Sequence, residues 1–194
     1  GANQAVSAVR LGGEVTMVGR LGDDIFGDQS IARLQAERVN CQFITRDPNT
    51  ASGVALISVD AKGENHIVVA PGANNELSKT IVETVIAALP DNAIILMQLE
   101  IPLETVKYII NRTHDSNIRV ILDPAPVPIN ALEDDFFKDL FLITPNETEA
   151  TRLTGIEVSD SQSAEKAAIQ LLATGVKNVA ITLGANGVVL AQPN

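Results

Sequence analysis

The second half of the chain alternates near-continuous apolar runs with helix-spaced segments, and this alternation constrains the fold more than any other feature. Runs rich in Val, Ile and Leu occur at 93–97, 118–122 and 178–183, and amphipathic segments separate them. A strand that is apolar on both sides is buried on both faces, which is typical of a parallel sheet covered by helices. The sequence therefore predicts an α/β protein with a mostly parallel central sheet between helical layers.

Hydrophobic spacing and turn residues place the individual elements along the chain. Helices are predicted at 2–11, 25–37, 78–88, 102–113, 146–153 and 162–173, and strands at 15–18, 42–45, 53–59, 65–70, 93–98, 118–123, 140–143, 177–182 and 187–191. The strands at 53–70 indicate a β-hairpin that interrupts the helix–strand alternation. We therefore expect an α/β core at 1–52, an appended hairpin at 53–70 and further α/β core at 71–194.

Composition excludes several classes of function. The net charge of −10 and an aromatic content of 3% without Trp argue against binding to nucleic acid. Apolar runs stay shorter than the roughly 18 residues of a membrane span. The single cysteine, Cys41, fits a reducing cytoplasm, and we interpret it as a small buried apolar residue rather than a reactive thiol. We expect a cytoplasmic globular protein without nucleic-acid or membrane partners.

Polar clusters follow four of the predicted strands at the points where those strands end. The clusters are Gln98–Glu100, Asp123–Pro124, Thr144–Asn146 and Thr182–Gly184. In open parallel sheets, ligands bind beyond the carboxyl ends of the strands. The four clusters are therefore expected to converge on one edge of the sheet and to form a ligand site there.

Two of these clusters suggest a nucleotide-phosphate site. Asn146 and Glu149 are spaced i, i+3 at a predicted helix start, where they would hold Mg²⁺ through its water shell or act as a simple capping motif. Thr182, Gly184 and Gly187 form a Gly-rich turn that lets the backbone approach an anion. The same turn also fits a plain hairpin connection.

Five motifs together resemble the ribokinase-like (PfkB) family of carbohydrate kinases. They are GANQAV at 1–6, GDDIFGD at 22–28, LDPAP at 122–126, ITPNETEATRLTG at 143–155 and ITLGANG at 181–187. The resemblance covers essentially the whole chain and implies a three-layer α/β/α sandwich with a small β lid. It also implies transfer of the γ-phosphoryl group of ATP to a sugar hydroxymethyl, which for D-ribose is O5. Deoxyribose, fructose or a nucleoside as acceptor, and a non-catalytic truncated binding protein, are the alternatives.

The same resemblance assigns residues to the sugar. It implies that Asn3 and Glu100 bind sugar hydroxyls, and that Ala55 and Ile57 lie on the lid over the sugar. An amide suits a hydroxyl because both donate and accept. Asn3 fits a helix cap equally well, and Glu100 fits an exposed residue before a helix.

On the nucleotide side, the resemblance assigns ATP contacts to Asn146, Thr182, Gly184 and Gly187, and Mg²⁺ to Glu149 through water. Asp123 remains open between a ligand contact and a brace for its turn. Asp23 and Asp24 belong to the motif at 22–28, and we predict that they cap a helix.

Some parts of the family pattern are expected outside this chain. Family members read Gly-Gly-Lys before the GAN motif, and their catalytic base is the Asp of a Gly-Ala-Gly-Asp motif, which the resemblance places beyond Asn194. We therefore expect a fragment without a catalytic base of its own. The resemblance further implies a monovalent cation such as K⁺, bound outside this chain, and a homodimer formed by pairing of two lids.

Overall fold

The structure, a computed structural model, describes residues 1–59, 65–129 and 132–193. The turn predicted at 60–64 lies outside the described residues. The helices are α1 (Ala2–Arg10), α2 (Ile25–Ala36), α3 (Lys79–Ile86), α4 (Leu103–Thr113), α5 (Glu147–Thr154) and α6 (Ser161–Ala173). The strands are β1 (Thr16–Gly22), β2 (Asn40–Asp47), β3 (Val54–Val59), β4 (Asn65–Ala70), β5 (Ile94–Met97), β6 (Arg119–Leu122), β7 (Leu142–Ile143), β8 (Val179–Thr182) and β9 (Val188–Ala191). Within the described ranges, no helix is both long and apolar enough to cross a bilayer.

The chain divides into two compact units. The first comprises Gly1–Ala88 with Glu100–Pro102, and the second comprises Leu89–Leu99 with Leu103–Asn194. Helices α1 to α3 and strands β1 to β4 belong to the first unit, and the remaining helices and strands belong to the second.

The first unit contains two separate pairs of strands. Strands β1 and β2 pair in parallel, and a small core formed around Ala5, Leu34 and Val39 packs beside them. Cys41 packs against that core, and burial raises the pKa of its thiol. This supports the interpretation of Cys41 as an apolar packing residue. Strands β3 and β4 form the predicted antiparallel hairpin, with Val54 opposite Ala70.

The second unit contains a five-stranded sheet in the order β5-β6-β7-β8-β9. Strands β5 to β8 are parallel, and β9 returns antiparallel to β8. Its core draws on the inner faces of the helices and on the strands, which accounts for the apolar runs of β6 and β8. The run at 93–97 is not buried on both faces, because Ile94 and Leu96 of β5 are exposed. The core includes Val106, Ile110, Val120, Leu122, Leu140, Ile143, Ala167, Leu171, Val179 and Ile181. The prediction of a mostly parallel sheet therefore holds for this unit.

Strands β1 and β2 are longer than predicted from the sequence. The sequence predicts strands at 15–18 and 42–45, whereas the parallel register runs from Thr16 opposite Asn40 to Gly22 opposite Asp47. The added residues include Gly19 and Gly22 of β1 and Asn40 and Asp47 of β2, which are residue types depleted in strands. Pairing with the neighbouring strand overrides that local preference.

Candidate functional site

Three of the four polar clusters predicted at strand ends line a single cleft in the second unit. Because β6, β7 and β8 are neighbours and parallel, the residues that follow or end them meet at the same edge of the sheet. The cleft has a volume of about 420 Å³ and is lined by Asp123, Ala125, Thr144, Asn146, Glu149 and Thr182. The prediction that these clusters converge is confirmed for Asp123, Thr144–Asn146 and Thr182.

The fourth cluster, Gln98–Glu100, does not line this cleft. The Leu99 N–H donates to the carbonyl of Ala125 at 3.0 Å, which ties the end of β5 to the LDPAP segment. Glu100 belongs to the first unit. Because β5 is parallel to β6 and next to it, Gln98 and Leu99 follow their strand at the same edge of the sheet, although neither residue lines the cleft.

Asn146 and Glu149 form a complete capping box at the start of α5. The Glu149 N–H donates to Asn146 Oδ1 at 2.9 Å, and the Asn146 N–H donates to Glu149 Oε2 at 2.9 Å. The capping interpretation is therefore correct as local structure. It does not compete with a ligand role, because both residues also line the cleft and the box holds the Glu149 carboxylate there.

The electrostatic environment of Glu149 is unfavourable for its charge. Burial raises the pKa of Glu149 above its ordinary value, and the nearby Asp123 carboxylate raises it further. Hydrogen bonding to Asn146 and the charge of Arg152 oppose these effects without cancelling them. Two carboxylates that share a cleft, one of them partly buried, are a favourable environment for a cation.

Thr182 is joined directly to the helix start that carries Asn146. The two residues form a parallel β-bridge, and the Thr182 N–H donates to the carbonyl of Pro145 at 3.0 Å. This bond places the end of β8 beside the first turn of α5. The two motifs that the sequence associates with a nucleotide are therefore adjacent in space.

The Gly-rich turn after Thr182 is a tight hairpin connection into β9. The N–H groups of Leu183, Asn186 and Gly187 donate to carbonyls within the turn itself. Gly184 and Gly187 have positive φ angles of 53° and 94°, which explains the glycines. Neither glycine is among the residues that line the cleft. Of the residues assigned to this turn, Thr182 lines the cleft.

The described residues contain no cluster of three or more His, Cys, Asp or Glu side chains that could hold a metal ion directly. Asp123 and Glu149 are the two acidic residues of the cleft. This donor set fits a Mg²⁺ ion that keeps most of its water, which is the usual preference of magnesium.

The residues assigned to the sugar lie in the first unit. Asn3 is exposed within α1, and Gly1 occupies the N-cap position, so the alternative that Asn3 caps this helix is wrong. Glu100 is half exposed, and its Oε2 lies 3.9 Å from the Gly1 nitrogen. The Asn3 amide and the Glu100 carboxylate are therefore both accessible near the start of α1.

The hairpin residues assigned to the lid are on one face of the ribbon. Ala55 and Ile57 are two positions apart in β3, where Ala55 pairs with Val69 and Ile57 pairs with Ile67. Because successive residues of a strand alternate between its faces, Ala55 and Ile57 belong to the same face of the ribbon. Ala55 is exposed. The side chain of Ile57 lies outside the part of the structure that is described.

Asp24 caps α2, as predicted, and it also makes contacts that the sequence did not indicate. Its Oδ1 accepts the Gly27 N–H at 2.8 Å, while its two oxygens also accept the Ser52 hydroxyl and N–H. Asp23 instead forms an exposed ion pair with Arg46 at 3.4 Å. Ser52 was missed because a single Ser before a strand carries no motif signal.

Two relatives that this chain resembles are sugar kinases. It is 40% identical over 192 residues to the ribokinase of Haemophilus influenzae, which covers 99% of this chain and 62% of that enzyme. It is 37% identical over 187 residues to the deoxyribokinase of Salmonella typhi, which covers 96% of this chain and 61% of that enzyme.

A solved structure confirms the fold. The ribokinase of Arabidopsis thaliana, solved in complex with ribose and ATP, matches with a TM-score of 0.84 at 28% identity and covers 99% of this chain and 62% of that chain. The predicted ribokinase-like α/β fold is therefore correct. The chain spans less than two thirds of the length of these relatives. Since its sequence matches the family over residues 1–194, the chain belongs to the pfkB family of carbohydrate kinases.

Proposed function

We propose that this chain is part of an ATP-dependent kinase that phosphorylates D-ribose at O5 to give D-ribose 5-phosphate. The observation that carries the proposal is the cleft in which Asp123, Asn146, Glu149 and Thr182 converge. Similarity to the Haemophilus influenzae ribokinase supports the reaction, and the Arabidopsis thaliana relative was solved with both ribose and ATP.

The cleft supplies the nucleotide side of this proposal. Asn146 and Thr182 would contact the phosphates of ATP, with Gly184 and Gly187 shaping the turn beside them. Glu149 would hold Mg²⁺ through water, assisted by Asp123, because a cation relieves the repulsion between the two carboxylates. When bound, Mg²⁺ would neutralise charge on the phosphates during transfer.

The first unit supplies the sugar side. Asn3 and Glu100 would orient the sugar through its hydroxyls, since an amide and a carboxylate together offer donors and acceptors. The hairpin at 53–70, with Ala55 and Ile57 on one face, would act as a lid on the α/β core at 1–52 and 71–194. A lid that excludes water favours transfer to the sugar over transfer to water.

We place the catalytic base outside this chain, because the family's Gly-Ala-Gly-Asp motif does not occur within it. That Asp would take the proton from the sugar hydroxyl as the phosphoryl group is transferred. A site for K⁺ or another monovalent cation is likewise placed outside residues 1–194.

We also propose that the protein acts in the cytoplasm as a homodimer formed through the lid. Leu56 and Val68 are exposed on one face of the hairpin, and Val59 and Val69 are exposed on the other. A two-stranded ribbon is marginally stable by itself, so a second copy would stabilise it. The single cysteine is consistent with a reducing compartment.

A deoxyribose kinase is the second candidate. It is favoured by the 37% identity to the Salmonella typhi deoxyribokinase, which is close to the value for the ribokinase relative. The two functions differ in the acceptor and share the nucleotide cleft, so only the sugar has to be distinguished.

The test is ATP-dependent phosphorylation of D-ribose, 2-deoxy-D-ribose and D-fructose. Both this chain and its complete native reading frame should be assayed. Preference of the complete protein for ribose supports the proposal, and preference for deoxyribose replaces it with the second candidate. A folded complete protein that phosphorylates none of these sugars contradicts both, and activity of residues 1–194 by themselves contradicts the placement of the base.

A further inference from the structure

The hairpin β3–β4 is exposed at most of the positions whose burial the structure describes, such as Ala55, Leu56 and Val68, but it is buried at its root. Leu56 is 70% exposed on the ribbon, whereas Ser52, two residues before β3, is 5% exposed. Ala73, shortly after β4, is completely buried. Because a two-stranded ribbon has little stability of its own, the direction in which it projects has to be set where its two ends join the rest of the first unit.

One carboxylate and one hydroxyl hold the entering end. Ser52 donates its N–H to Asp24 Oδ2 at 2.7 Å and its hydroxyl to Asp24 Oδ1 at 2.7 Å. The same hydroxyl accepts a hydrogen bond at 3.0 Å from the N–H of Gly22, which is the last residue of β1. These three bonds tie the start of the hairpin to the end of β1 and to the first turn of α2.

The leaving end is packed against the entering end with almost no space between the two backbones. The Ala73 N–H donates to the carbonyl of Ala51 at 2.9 Å. A Cβ atom added to Gly53 would lie 2.5 Å from the Pro71 carbonyl oxygen, and one added to Gly72 would lie 2.8 Å from the Gly53 nitrogen. Both ends therefore belong to one tightly packed cluster, the hairpin root, formed by Gly22, Asp24, Ser52, Gly53 and Gly72.

Helix capping does not account for these contacts. The cap of α2 needs a single acceptor, which Asp24 Oδ1 supplies to the Gly27 N–H. Asp160 caps α6 in the same way, and its further partner is the hydroxyl of Ser163, a residue of the same helix turn. Asp24 instead bonds a serine 28 positions along the chain. The additional bonds of Asp24 serve the hairpin.

We propose that Asp24 and Ser52 are positioning residues that fix the direction of the hairpin and thereby its closure over the sugar. The inference depends on the proposed function in treating the hairpin as a lid. Any closing motion then has to pivot beyond Gly53 and Pro71, because the root itself is held by charge-assisted bonds and by backbone packing.

The test compares two matched serine variants by hydrogen–deuterium exchange. Ser52→Ala and Ser163→Ala each remove a hydroxyl that donates to a helix-capping Asp at 2.7 Å. We expect Ser52→Ala to speed exchange in β3 and β4 about tenfold, since bonds to charged groups shift local opening by about that factor. Ser163→Ala should leave exchange in the hairpin unchanged. Equal exchange in both variants overturns the proposal.

A second pair of variants covers the case in which Ser52→Ala does not fold. Asp24→Asn keeps an oxygen for the Gly27 N–H but turns an amide N–H₂ toward Ser52, and Asp160→Asn is its match on α6. Faster hairpin exchange in Asp24→Asn and not in Asp160→Asn supports the proposal. The opposite pattern, or no difference, overturns it.

Kinetics of the complete protein separate positioning from plain structural support. In Ser52→Ala we expect the KM for the sugar and the ratio of ATP hydrolysis to sugar phosphorylation to rise several-fold, with the KM for ATP unchanged. Faster hairpin exchange with unaltered sugar KM and ratio overturns the positioning role. If the complete protein phosphorylates no sugar, the proposed function fails, while the exchange data still decide whether Asp24 and Ser52 hold the hairpin.

Discussion

At the scale of single residues, Glu149 combines two roles that usually belong to different side chains. One of its oxygens closes the capping box with Asn146, and the carboxylate also lines the cleft beside Asp123. The first role needs an acceptor, and the second makes use of a negative charge that burial disfavours. The two roles can therefore be separated by replacing the charge while keeping the acceptor.

Glu149→Gln should retain stability and lose function. The glutamine oxygen still accepts the Asn146 N–H, while the neutral amide is not repelled by Asp123, so we expect the melting temperature at neutral pH to stay equal or rise. In the complete protein, kcat/KM for MgATP should fall about 10–100-fold, the order found for residues that support a bound metal. Calorimetry and steady-state assays at several Mg²⁺ concentrations provide the measurements.

Glu147→Gln is the matched control for this prediction, because Glu147 lies in the same first turn of α5 and does not take part in the capping box. It should change kcat/KM little. A melting temperature that falls further in Glu149→Gln than in Glu147→Gln would mean that the charge of Glu149 stabilises the fold, contrary to the physical argument.

At the scale of elements, β1 carries two glycines with very different surroundings. A Cβ added to Gly22 would lie 2.6 Å from Asp24 Oδ2 and would also meet the backbone of Ser52. A Cβ added to Gly19, in the same strand, would meet only the flexible end of Met17 at 4.0 Å. Gly22 is therefore required by the contact between the strand and the hairpin root, whereas Gly19 is not.

Gly22→Ala should accordingly destabilise the protein by roughly 1–3 kcal/mol, the usual cost of overpacking a well-filled site. Gly19→Ala, the matched variant, should change the free energy of unfolding by less than about 0.5 kcal/mol. Urea denaturation followed by circular dichroism measures both. Equal effects of the two substitutions would show that the close approach at Gly22 relaxes without cost.

Strand β9 presents one exposed and one packed face. Val188 is 52% exposed opposite Thr182, whereas Val189 pairs with Ile181, which is fully buried. Val188→Thr should change the free energy of unfolding by less than about 0.5 kcal/mol. Val189→Thr places a hydroxyl on the packed face and should cost about 1–3 kcal/mol. Chemical denaturation of the two variants side by side tests this, and a larger loss for Val188→Thr would contradict the orientation of the strand.

At the scale of the whole molecule, acid sensitivity follows from several carboxyls held by hydrogen bonds. Asp24, Asp47 and Asp160 each have a pKa below the ordinary value of an aspartate. The main cause is a hydrogen bond from the Ser52 N–H to Asp24, from the Asn49 N–H to Asp47 and from the Ser163 hydroxyl to Asp160. A carboxyl whose pKa is lower in the folded state than in the unfolded state stabilises the fold. This stabilisation is complete above the pKa of the unfolded state, about 3.9, and is lost as the pH falls through the pKa of the folded state.

Stability should therefore decline as the pH falls below about 4, as measured by urea midpoints between about pH 3 and pH 7. Glu149 opposes this trend, because its raised pKa favours proton uptake by the folded state. The decline should be smaller in Asp160→Asn, which removes one of the contributing carboxyls. A stability that is unchanged or increases over the same range would contradict the argument.

Much of the fold and part of the cleft could be predicted because they depend on local patterns. The parallel strands of the second unit follow from continuous apolar runs, and the position of Asp123, Asn146 and Thr182 follows from the ends of those strands. The lengths of β1 and β2 could not be predicted, since their extra residues are strand only through pairing. The assignment of Glu100 to the first unit and of Leu99 to the second could not be predicted either, because it depends on contacts between residues far apart in the sequence.

The sequence by itself determined which residues are apolar in strands, where strands end in polar groups and which helix starts can be capped, because these depend on neighbours a few positions apart. Only the tertiary structure decided that Asp24 bonds Ser52, and that Asp123 lies near enough to Glu149 to raise its pKa. Such contacts join residues 26 or 28 positions apart, and the distance between them is set by how strands and helices pack.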